Sequence, residues 1–317
     1  MSVLNVQAGK PVAMVLGAAG FLGRQVCREL HGRGFGVRGL GHGDWRRDEW
    51  STWGIDDFVA ADIALDSLAA AAHGAEPLVY VNCAGGAAVG RSYAEPFDDF
   101  SRSVIATASL LEFVRRRRDP RARVVVASSG AVHGDCGESN ASADTPRSPV
   151  SPYGVHKTMA EDLCEEYSRF FAVRSTVVRL FSVYGEGLRK QLLWDALTKF
   201  RRSEARFFGT GDEVRDWLHV EDAAVLLSRA ATVDQPNFAV FNGGAEKAAT
   251  REVLEALARL WDGSMSVQFT GESQPGSPRR LTADSTAAHS VLGWQPRIPL
   301  SRGLARYVQW FKKDALL

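Results

Sequence analysis

The stretch Val12-Ala-Met-Val-Leu-Gly17-Ala-Ala-Gly20-Phe-Leu-Gly23 decides the fold. Residues 12–16 form a short apolar run, which is typical of a buried strand, and residues 21–30 have the apolar spacing of a helix. Glycine is required where the backbone turns sharply and where a pyrophosphate approaches main-chain N–H groups, and the following helix N-terminus favours the phosphate charge. The GxxGxxG spacing at the first strand–helix turn therefore predicts a dinucleotide-binding loop. The alternative is a glycine-rich turn that only packs a helix close to a sheet.

Strand-like and helix-like segments alternate through the first half of the chain. A predicted helix at residues 101–114 separates the fourth and fifth apolar runs, and another at residues 153–170 precedes the sixth. Strands separated by helices of this size form parallel sheets with helices on both faces. The sequence thus predicts an α/β protein with a Rossmann-type doubly wound parallel sheet. The further apolar runs predicted as strands are 35–40, 58–61, 79–82, 124–127 and 173–180.

The pattern changes after residue 181, where glycines and charged residues interrupt shorter elements. We therefore expect two domains: residues 1–180 bind NAD(P), and residues 181–317 form a smaller C-terminal α/β domain that binds the substrate. Some later segments, such as residues 216–231, are candidates to return to the first domain. Residues 271–278 are predicted to form a loop, because Gly, Ser, Gln and Pro dominate them. The helices predicted in this part are 221–231, 251–260 and 304–312.

Composition and charge exclude several classes of protein. The 317 residues include 38 Lys+Arg and 37 Asp+Glu, so the formal net charge is +1, which argues against nucleic-acid or membrane-surface partners. No apolar run approaches the ~18 residues of a membrane span, and a signal peptide is not expected. The cysteines lie far apart without metal-ligand spacing, so we expect reduced thiols, no metal and a cytoplasmic location. They are Cys27, Cys83, Cys136 and Cys164.

The end of the second predicted strand normally selects the cofactor, because an acidic side chain there binds the ribose 2′-hydroxyl. Gly41 occupies the usual acidic position here and His42 follows it, although Asp44 is close enough in sequence to reach back. We expect NAD and leave NADP open. Asp62 and Ile63 follow the third strand and are placed to contact the adenine; an ordinary strand-end Asp is the alternative. The predicted cofactor-binding residues are Gly17, Gly20, Phe21, Leu22, Gly23, His42, Asp62, Ile63, Ala84, Tyr153 and Lys157.

The segment Ser151-Pro-Tyr-Gly-Val-His-Lys157 carries the most chemical information. Ser and Pro favour the N-cap and the first position of a helix, so Tyr153 and Lys157 lie at i and i+4 on one face. A phenol has an ordinary pKa of about 10. A neighbouring ammonium and the positive end of the helix both favour phenolate, so we expect a lowered pKa that makes Tyr153 a base near neutral pH. An isolated YxxxK pair is usually an ordinary surface feature, so its neighbours decide its meaning.

Ser129 is such a neighbour, because it follows the fifth predicted strand. A hydroxyl at the carboxyl end of a parallel strand lies at the ligand crevice, where it can hydrogen-bond the oxygen that Tyr153 deprotonates. His133 and His156 are alternative acid–base candidates, although a loop or helix-surface histidine is the more common explanation for each. Ser129, Tyr153 and Lys157 are therefore the predicted catalytic residues.

The glycine loop, the segment Ser128-Ser-Gly-Ala-Val-His-Gly134 and the Tyr153–Lys157 pair together resemble the extended short-chain dehydrogenase/reductase family. Within it they are similar to the NAD-dependent nucleotide-sugar epimerases and dehydratases, of the UDP-glucose 4-epimerase type. The resemblance extends over nearly the whole chain, because later motifs follow in the family's order. These are Arg179-Leu-Phe-Ser-Val-Tyr-Gly185, Gly209-Thr-Gly-Asp-Glu-Val-Arg-Asp-Trp-Leu-His-Val-Glu-Asp222, Phe241-Asn-Gly-Gly244 and Leu292-Gly-Trp294.

The resemblance implies that Ser129, Tyr153 and Lys157 transiently oxidise a hydroxyl of a nucleotide sugar, at C4 of a UDP-hexose, and that hydride returns to the other face. It also implies a homodimer with a four-helix interface built from residues 101–114 and 153–170. An NAD(P)H-dependent 4-ketoreductase with the same residues is the first alternative, and a catalytically silent dinucleotide-binding protein is the second. The substrate-binding residues that it implies are Ser182, Gln191, Phe208 (for which core packing is the alternative) and Arg215.

Three departures from the family pattern bear on the substrate. Residues 274–277 replace a loop that usually supplies an Arg and a ribose-binding Asp, although residues 279–280 are both Arg. Ser182 replaces an Asn that contacts the diphosphate. Gly130 and Ala131 stand where sugar 4,6-dehydratases have an Asp–Glu pair, which disfavours a dehydratase.

Overall fold

The computed structural model describes residues 10–43, 45–86, 89–272 and 278–314. Seven strands form one parallel sheet, and the remaining strands form two smaller sheets beside it. The strands are β1 (Val12–Leu16), β2 (Gly36–Gly41), β3 (Asp57–Ala60), β4 (Pro77–Asn82), β5 (Arg123–Ser129), β6 (Arg174–Leu180), β7 (Ser182–Tyr184), β8 (Arg206–Phe207), β9 (Val214–His219), β10 (Phe238–Gly243), β11 (Glu246–Ala249), β12 (Gln268–Phe269) and β13 (Arg280–Leu281). The α-helices are α1 (Phe21–Gly32), α2 (Arg47–Trp50), α3 (Leu65–Ala71), α4 (Val89–Ala94), α5 (Pro96–Phe100), α6 (Ala106–Arg117), α7 (Pro152–Phe171), α8 (Gln191–Phe200), α9 (Val220–Thr232), α10 (Thr250–Trp261), α11 (Thr286–Leu292) and α12 (Leu300–Asp314).

The large sheet has the strand order β3-β2-β1-β4-β5-β6-β10, and every neighbouring pair is parallel. At the end of β1, Leu16 faces Leu40 of β2 on one side and Asn82 of β4 on the other. The chain builds the sheet from β1 outward to β3 and then returns to add β4 on the opposite side. This reversal opens a crevice at the carboxyl ends of β1 and β4, which is where ligands bind in sheets of this type. The predicted Rossmann-type doubly wound fold is confirmed.

Strand β1 is buried on both faces, which explains its unbroken apolar sequence. Ala13 and Val15 belong to an apolar cluster that includes α1 and α9, whereas Met14 and Leu16 belong to a cluster that includes α3, α6 and α7. All four side chains are fully buried. Because full burial of a Val, Leu or Met side chain contributes about 1.5–3 kcal/mol, the two clusters fix the strand whose end carries the glycine loop.

Two helical segments frame the carboxyl ends of the strands. α7 begins as its sequence predicts, with Pro152 at the first position and the Ser151 side chain accepting a hydrogen bond from the Gly154 N–H at 3.2 Å. The segment predicted as one helix at residues 101–114 is different, because Ser101–Ile105 form a π-helical turn before α6. Single π turns of this kind occur frequently at functional sites. The turn lies beside α7, close to the crevice.

The second half of the chain forms a four-stranded sheet with β9 at its centre. β11 pairs with β9 in antiparallel fashion, whereas β7 and β13 pair with it in parallel. A third apolar cluster covers this sheet with residues of α8, α10 and α12.

Parts of the chain after residue 180 return to the large sheet. β10 joins the edge of the large sheet beside β6, and α9 packs against α1 on one face of that sheet. Of the residues expected to return, 216–219 belong to β9, whereas 220–231 belong to α9. Most of the loop predicted at residues 271–278 lies outside the described residues.

Three features bear on the expectations from composition. The described part of the chain contains no helix that is long and apolar enough to cross a membrane. The four cysteines are unpaired, and Cys27 and Cys164 are buried. Among the same described residues, no group of three His, Cys, Asp or Glu side chains is arranged to hold a metal ion.

Candidate active site

A cavity of about 1490 Å³ follows the carboxyl ends of the large sheet and extends to β7, β9 and β13. A site for one drug-sized ligand typically measures about 300–1,000 Å³, so this cavity has room for two ligands. All of the predicted catalytic, cofactor-binding and substrate-binding residues line it. They are Gly17, Gly20, Phe21, Leu22, Gly23, His42, Asp62, Ile63, Ala84, Ser129, Tyr153, Lys157, Ser182, Gln191, Phe208 and Arg215.

The glycine loop leaves no room for side chains at two of its positions. Gly17 has a φ of +73°, and a Cβ atom there would lie 2.8 Å from the Ala84 nitrogen. A Cβ at Gly23 would lie 2.1 Å from the Gly17 carbonyl oxygen, so the first turn of α1 packs directly on the loop. Gly20 is the N-cap of α1, and it offers no side-chain hydrogen bond to the helix. All residues of α1 are described, and none in its first turn is acidic. The N–H groups of this turn are therefore available to a phosphate.

The next two strand ends place His42 and Asp62 together. His42 Nε2 lies 2.9 Å from Asp62 Oδ1, and both side chains are exposed. A carboxylate therefore does stand beside the position after β2, but β3 supplies it. β2 and β3 are adjacent parallel strands, His42 directly follows β2, and Asp62 lies two residues after β3. These positions were the signal for the contact. Asp44, the alternative ribose ligand, lies outside the described residues.

The three predicted catalytic residues lie together at the end of β5 and the start of α7. The Ser129 hydroxyl accepts a hydrogen bond from the Ala131 N–H at 3.2 Å and is also hydrogen-bonded to Tyr153. Lys157 is buried, and its Nζ donates to the Ala127 carbonyl oxygen at 2.9 Å. The same Nζ lies 5.9 Å from the centre of the Tyr153 ring. Residues that are separated in the sequence therefore form one group in space.

Burial dominates the electrostatics of this group. Desolvation raises the pKa of Tyr153, and the hydrogen bond with Ser129 opposes that rise only in part. Desolvation lowers the pKa of Lys157, and nearby acidic groups, Asp99 foremost, act in the opposite direction. The expectation that the Tyr153 pKa is lowered is therefore wrong for the protein alone. The physical reason is that lost hydration outweighs the favourable charges, while the Lys157 ammonium is held by the Ala127 carbonyl.

A buried ion pair supports the strand that carries Ser129. The Ser128 hydroxyl donates to Glu161 Oε1 at 2.5 Å, and Arg179 donates to both oxygens of the same carboxylate at 2.8–3.1 Å. Glu161 is not among the predicted site residues. It lies four residues after Lys157 on the buried face of α7, and that spacing was the signal that could have identified it.

Neither of the two alternative histidines lines the cavity. His133 is buried and stacks on Phe181, and burial lowers its pKa to about 4, so it is neutral at physiological pH. His156 Nδ1 lies 2.6 Å from Asp99 Oδ2. Neither ring is therefore placed to exchange a proton directly with a ligand in the cavity.

The half of the cavity next to β7, β9 and β13 is the substrate half, and of the consecutive Phe207 and Phe208 only Phe208 lines it. Phe207 is 2% exposed and packs in the core, whereas Phe208 is 49% exposed and lines the cavity. Ser182 lies on β7 opposite Trp217 of β9. Gln191 begins α8 with a φ of +66°, a left-handed conformation that is uncommon for a residue with a side chain and is often found at functional sites.

Among the residues that the structure describes, three cations line this half of the cavity: Lys190, Arg215 and Arg279. Burial lowers the pKa of Arg215, although the charge of Glu213 opposes that effect. Burial also lowers the pKa of Lys190, and the charge of Arg91 adds to it. Desolvated cations of this kind gain free energy when an anion binds beside them. Lys190 is not among the predicted residues, although its position directly before Gln191 could have identified it. The loop at residues 274–277, which departs from the family pattern, lies outside the described residues.

A glycine loop at the switch point of a parallel sheet and a Ser–Tyr–Lys group in the same cavity define an enzyme of the short-chain dehydrogenase/reductase class. The chain belongs to the NAD dependent epimerase/dehydratase family, whose model matches residues 13–244. The resemblance drawn from the sequence motifs is confirmed, and so is NAD as the expected cofactor. The open turn at the start of α1 and the close approach of Gly17 to Ala84 fit its pyrophosphate.

The chain is similar over almost its full length to named members of this family. A UDP-glucose 4-epimerase from Mycolicibacterium smegmatis is 30% identical over 316 residues, which cover 95% of this chain and 99% of that protein. A UDP-glucuronate 4-epimerase from Thermodesulfobacterium geofontis is 25% identical, with 95% of this chain and 96% of that protein covered. The structure of Thermus thermophilus UDP-glucose 4-epimerase in complex with NAD has a TM-score of 0.82 and 25% identity, and the match covers 95% and 98% of the two chains.

Proposed function

We propose that this protein is an NAD-dependent epimerase that inverts C4 of a UDP-hexose. The observation that carries the proposal is the presence of Ser129, Tyr153 and Lys157 in the same cavity as the glycine loop, with space for a second ligand. The similarity to the Mycolicibacterium UDP-glucose 4-epimerase and to the UDP-glucuronate 4-epimerase supports the same reaction on a neutral or a carboxylated hexose.

The residues present would hold NAD along the ends of the strands. The loop of residues 17–23 would bind the pyrophosphate, Asp62 and Ile63 would contact the adenosine, and Lys157 would donate to the nicotinamide ribose. When bound, NAD supplies the group that accepts a hydride from the sugar carbon and later returns it.

The chain's own catalytic task is to move one proton at the C4 oxygen. Because burial raises the pKa of Tyr153, the phenol must first release its own proton to solvent, and the resulting phenolate then accepts the proton of the C4 hydroxyl. Ser129 is hydrogen-bonded to the Tyr153 hydroxyl and orients the sugar oxygen for this proton transfer. The Lys157 ammonium stabilises the phenolate charge from 5.9 Å, measured to the ring centre.

The segment after Ser129 argues against dehydration of the sugar. A Cβ at Gly130 would lie 2.8 Å from the Phe181 ring, so this position has no room for an acidic side chain. Ala131 follows it and lines the cavity without an ionisable group. Elimination of the C6 hydroxyl needs a proton donor near that oxygen. Neither of these two positions supplies one.

A 4-ketoreductase is the second candidate, and the end of β2 is the observation that favours it. Gly41 itself has no acidic side chain, and Asp62, the carboxylate beside this strand end, is paired with His42, so discrimination against the 2′-phosphate of NADPH is weakened there. Stoichiometry separates the two reactions. An epimerase needs no added reductant, whereas a reductase consumes one NAD(P)H for each turnover.

We assign the substrate diphosphate to the three cations in the substrate half of the cavity. Arg215 is the main partner, because a guanidinium binds phosphate oxygens in a bidentate geometry. Lys190 and Arg279 would compensate for the Arg that the family usually carries in the loop at residues 274–277. Gln191 and Ser182 would contact the substrate backbone, and Phe208 would lie against the base.

The direct test supplies UDP-galactose, UDP-glucose and UDP-glucuronate to the purified enzyme with NAD and separates the products by chromatography. We expect interconversion of one C4 pair without net change in NADH absorbance. Tyr153→Phe should reduce kcat by about 10²–10⁴-fold, because the proton acceptor is lost. Full turnover by that variant, or a strict requirement for one reductant per product, would overturn the epimerase assignment.

We further propose that the part of the chain built on the large sheet holds NAD and that the part around β9 holds the sugar nucleotide. We also propose that the protein is a homodimer. Apolar side chains on α7 that lie outside the cavity lining support the dimer: Val155 and Met159 are 37% and 42% exposed. Met159→Glu should convert a dimer to a monomer in sedimentation velocity, and a monomeric wild type would overturn this part. The unpaired cysteines support a cytoplasmic location.

A further inference from the structure

A pair formed by a buried carboxylate and a partly buried imidazole lies beside the active-site lysine. Asp99 of α5 is 3% exposed, and its Oδ2 lies 2.6 Å from Nδ1 of His156 on α7. The Phe100 ring packs edge-on against the imidazole, with ring centres 5.5 Å apart. His156 directly precedes Lys157, so the imidazole and the lysine lie in the same turn of α7. The reaction proposed above makes no use of this pair.

Two consecutive glycines after β4 connect the pair to the lysine. A Cβ at Gly85 would lie 2.9 Å from Lys157 Nζ, and a Cβ at Gly86 would lie 1.6 Å from Asp99 Oδ1. The backbone at Gly85 thus contacts the ammonium, and the backbone at Gly86 contacts the carboxylate, with no side chain between the opposite charges. The Gly86 N–H donates to Ser103 Oγ at 3.3 Å, which holds this part of the loop.

The charge of Asp99 acts in the same direction on both catalytic protons. It is the strongest of the interactions that raise the pKa of Lys157 against desolvation. It also adds to the rise in the Tyr153 pKa that burial causes. A carboxylate at this position therefore favours an ammonium on Lys157 and a phenol on Tyr153.

Other ionisable groups face this region from each element that packs around it. Asp98 is shared by Arg91 and Arg102 at the surface, which leaves Asp99 as the buried acid of α5. The surrounding groups are Arg91 of α4, Glu95 and Asp98 at the start of α5, Arg102 of the π turn, Cys83 after β4, and Tyr153, His156, Lys157 and Glu161 of α7.

We propose that Asp99, oriented by His156, is a positioning residue that keeps Lys157 charged across the Gly85–Gly86 backbone and so sets the pH range of the active site. The inference rests on the proposed function only for the catalytic roles of Tyr153 and Lys157. Asn at position 99 has the shape of Asp without its charge. In Asp99→Asn, Tyr153 should therefore form phenolate, and Lys157 should lose its proton, at lower pH than in the wild type.

The first readout needs no turnover. The NAD-loaded enzyme is titrated with base while tyrosinate absorbance is recorded, and subtraction of the matching Tyr153→Phe protein isolates the Tyr153 signal. We expect the midpoint of Asp99→Asn to fall by about 0.5–1 pH unit, less than the 1–3 units of a direct contact, because backbone separates the charges. Both limbs of the pH profile of kcat/KM should move in the same direction.

Two further variants provide controls. Glu95→Gln removes the same charge one helical turn earlier, at an exposed residue outside the cavity lining, and should leave the Tyr153 midpoint in place. His156→Asn keeps a hydrogen-bond donor for Asp99 and should remain close to the wild type. His156→Ala removes that donor, so a midpoint below that of the wild type is expected.

A folded Asp99→Asn protein whose Tyr153 midpoint equals that of the wild type would overturn the proposal. A fall in kcat with an unmoved pH profile would also overturn it, because this would indicate a purely structural role. If Asp99→Asn does not fold, His156→Ala carries the test under the same criteria. If no UDP-sugar is turned over and the midpoint still moves, the proposed function fails while the positioning role of Asp99 stands.

Discussion

Lys157 Nζ donates a hydrogen bond to the Ala127 carbonyl oxygen at 2.9 Å, so the carboxyl end of strand β5 holds the ammonium of a residue on α7. Burial lowers the pKa of this lysine, and the carbonyl and the neighbouring acids offset that effect. The ammonium is thereby kept in place beneath the loop after β4 before any ligand binds. Lys157 can therefore act on the site through its positive charge as well as through its hydrogen-bond donors.

Replacing Lys157 with Met should separate these contributions, because Met keeps an unbranched side chain and removes the charge. We expect kcat to fall by about 10²–10³-fold, since the phenolate of Tyr153 loses its stabilising cation. NAD should also bind more weakly in a fluorescence titration, because a ribose donor is lost. Lys199→Met is the matched control, since Lys199 lies on α8 and pairs with Asp195 at 2.9 Å. An unchanged kcat in Lys157→Met would contradict the assigned role.

The glycine loop offers a test that does not depend on the substrate. Gly23→Ala introduces a Cβ that would lie 2.1 Å from the Gly17 carbonyl oxygen, so the loop or α1 must move. We expect at least a tenfold loss of NAD affinity by calorimetry, and a lower melting temperature, because overpacking typically costs about 1–3 kcal/mol.

Gly32→Ala is the control on the same helix. No atom lies within 4 Å of a Cβ built at Gly32, so the substitution should leave NAD affinity unchanged. It should slightly stabilise α1, because Gly in a helix is less favourable than Ala by about 0.5–1 kcal/mol. Equal NAD affinities of the two variants would show that the close packing of the loop is not required for binding.

The parallel sheet and the catalytic group could be predicted because local patterns determine them. The apolar run and glycines of residues 12–23 specify a strand, a turn and a helix, and Ser151 and Pro152 specify the start of α7. Tyr153 and Lys157 then share a face by helical spacing alone. These predictions needed no knowledge of which segments meet in space.

The remaining features depend on contacts between distant segments. The π turn at Ser101–Ile105, the pairing of Asp99 with His156 and the raised Tyr153 pKa all arise from the packing of α5 against α7 and from burial. Desolvation is a property of the whole surrounding structure, so a motif that suggests a lowered pKa cannot reveal that burial dominates. The return of β10 to the large sheet is equally nonlocal.

The buried pair of Glu161 and Arg179 should contribute strongly to stability. Glu161→Gln leaves the Arg179 guanidinium, which makes contacts of 2.8–3.1 Å to the carboxylate, without a buried counter-charge. Breaking a buried ion pair by removal of one partner costs about 3–5 kcal/mol, so the urea midpoint should fall clearly. Glu165→Gln on the exposed face of α7 should change the unfolding free energy by less than about 0.5 kcal/mol. Similar midpoints for the two variants would mean that the pair adds little net stability.

Glu186 should make the folded protein sensitive to acid. Burial alone would raise its pKa, but hydrogen bonds from His219 and Arg306 outweigh burial and lower it from the ordinary value of 4.5 to about 2. Its Oε2 lies 3.0 Å from His219 Nε2, and its Oε1 lies 2.6 Å from Arg306 Nε on α12. Because the folded pKa is depressed, the contribution is fully present above pH 4.5 and is lost as the pH falls towards about 2.

The size of this effect follows from the difference between the two pKa values. At 1.36 kcal/mol per unit, the ion pair contributes up to about 3 kcal/mol at neutral pH, as an order of magnitude. Urea unfolding between about pH 6 and pH 3 should therefore show a smaller loss of unfolding free energy in Glu186→Gln than in the wild type. Glu204→Gln, at an exposed position after α8, should keep the slope of the wild type. If Glu186→Gln and Glu204→Gln lose stability equally over this range, the Glu186 carboxylate contributes no acid-sensitive stability.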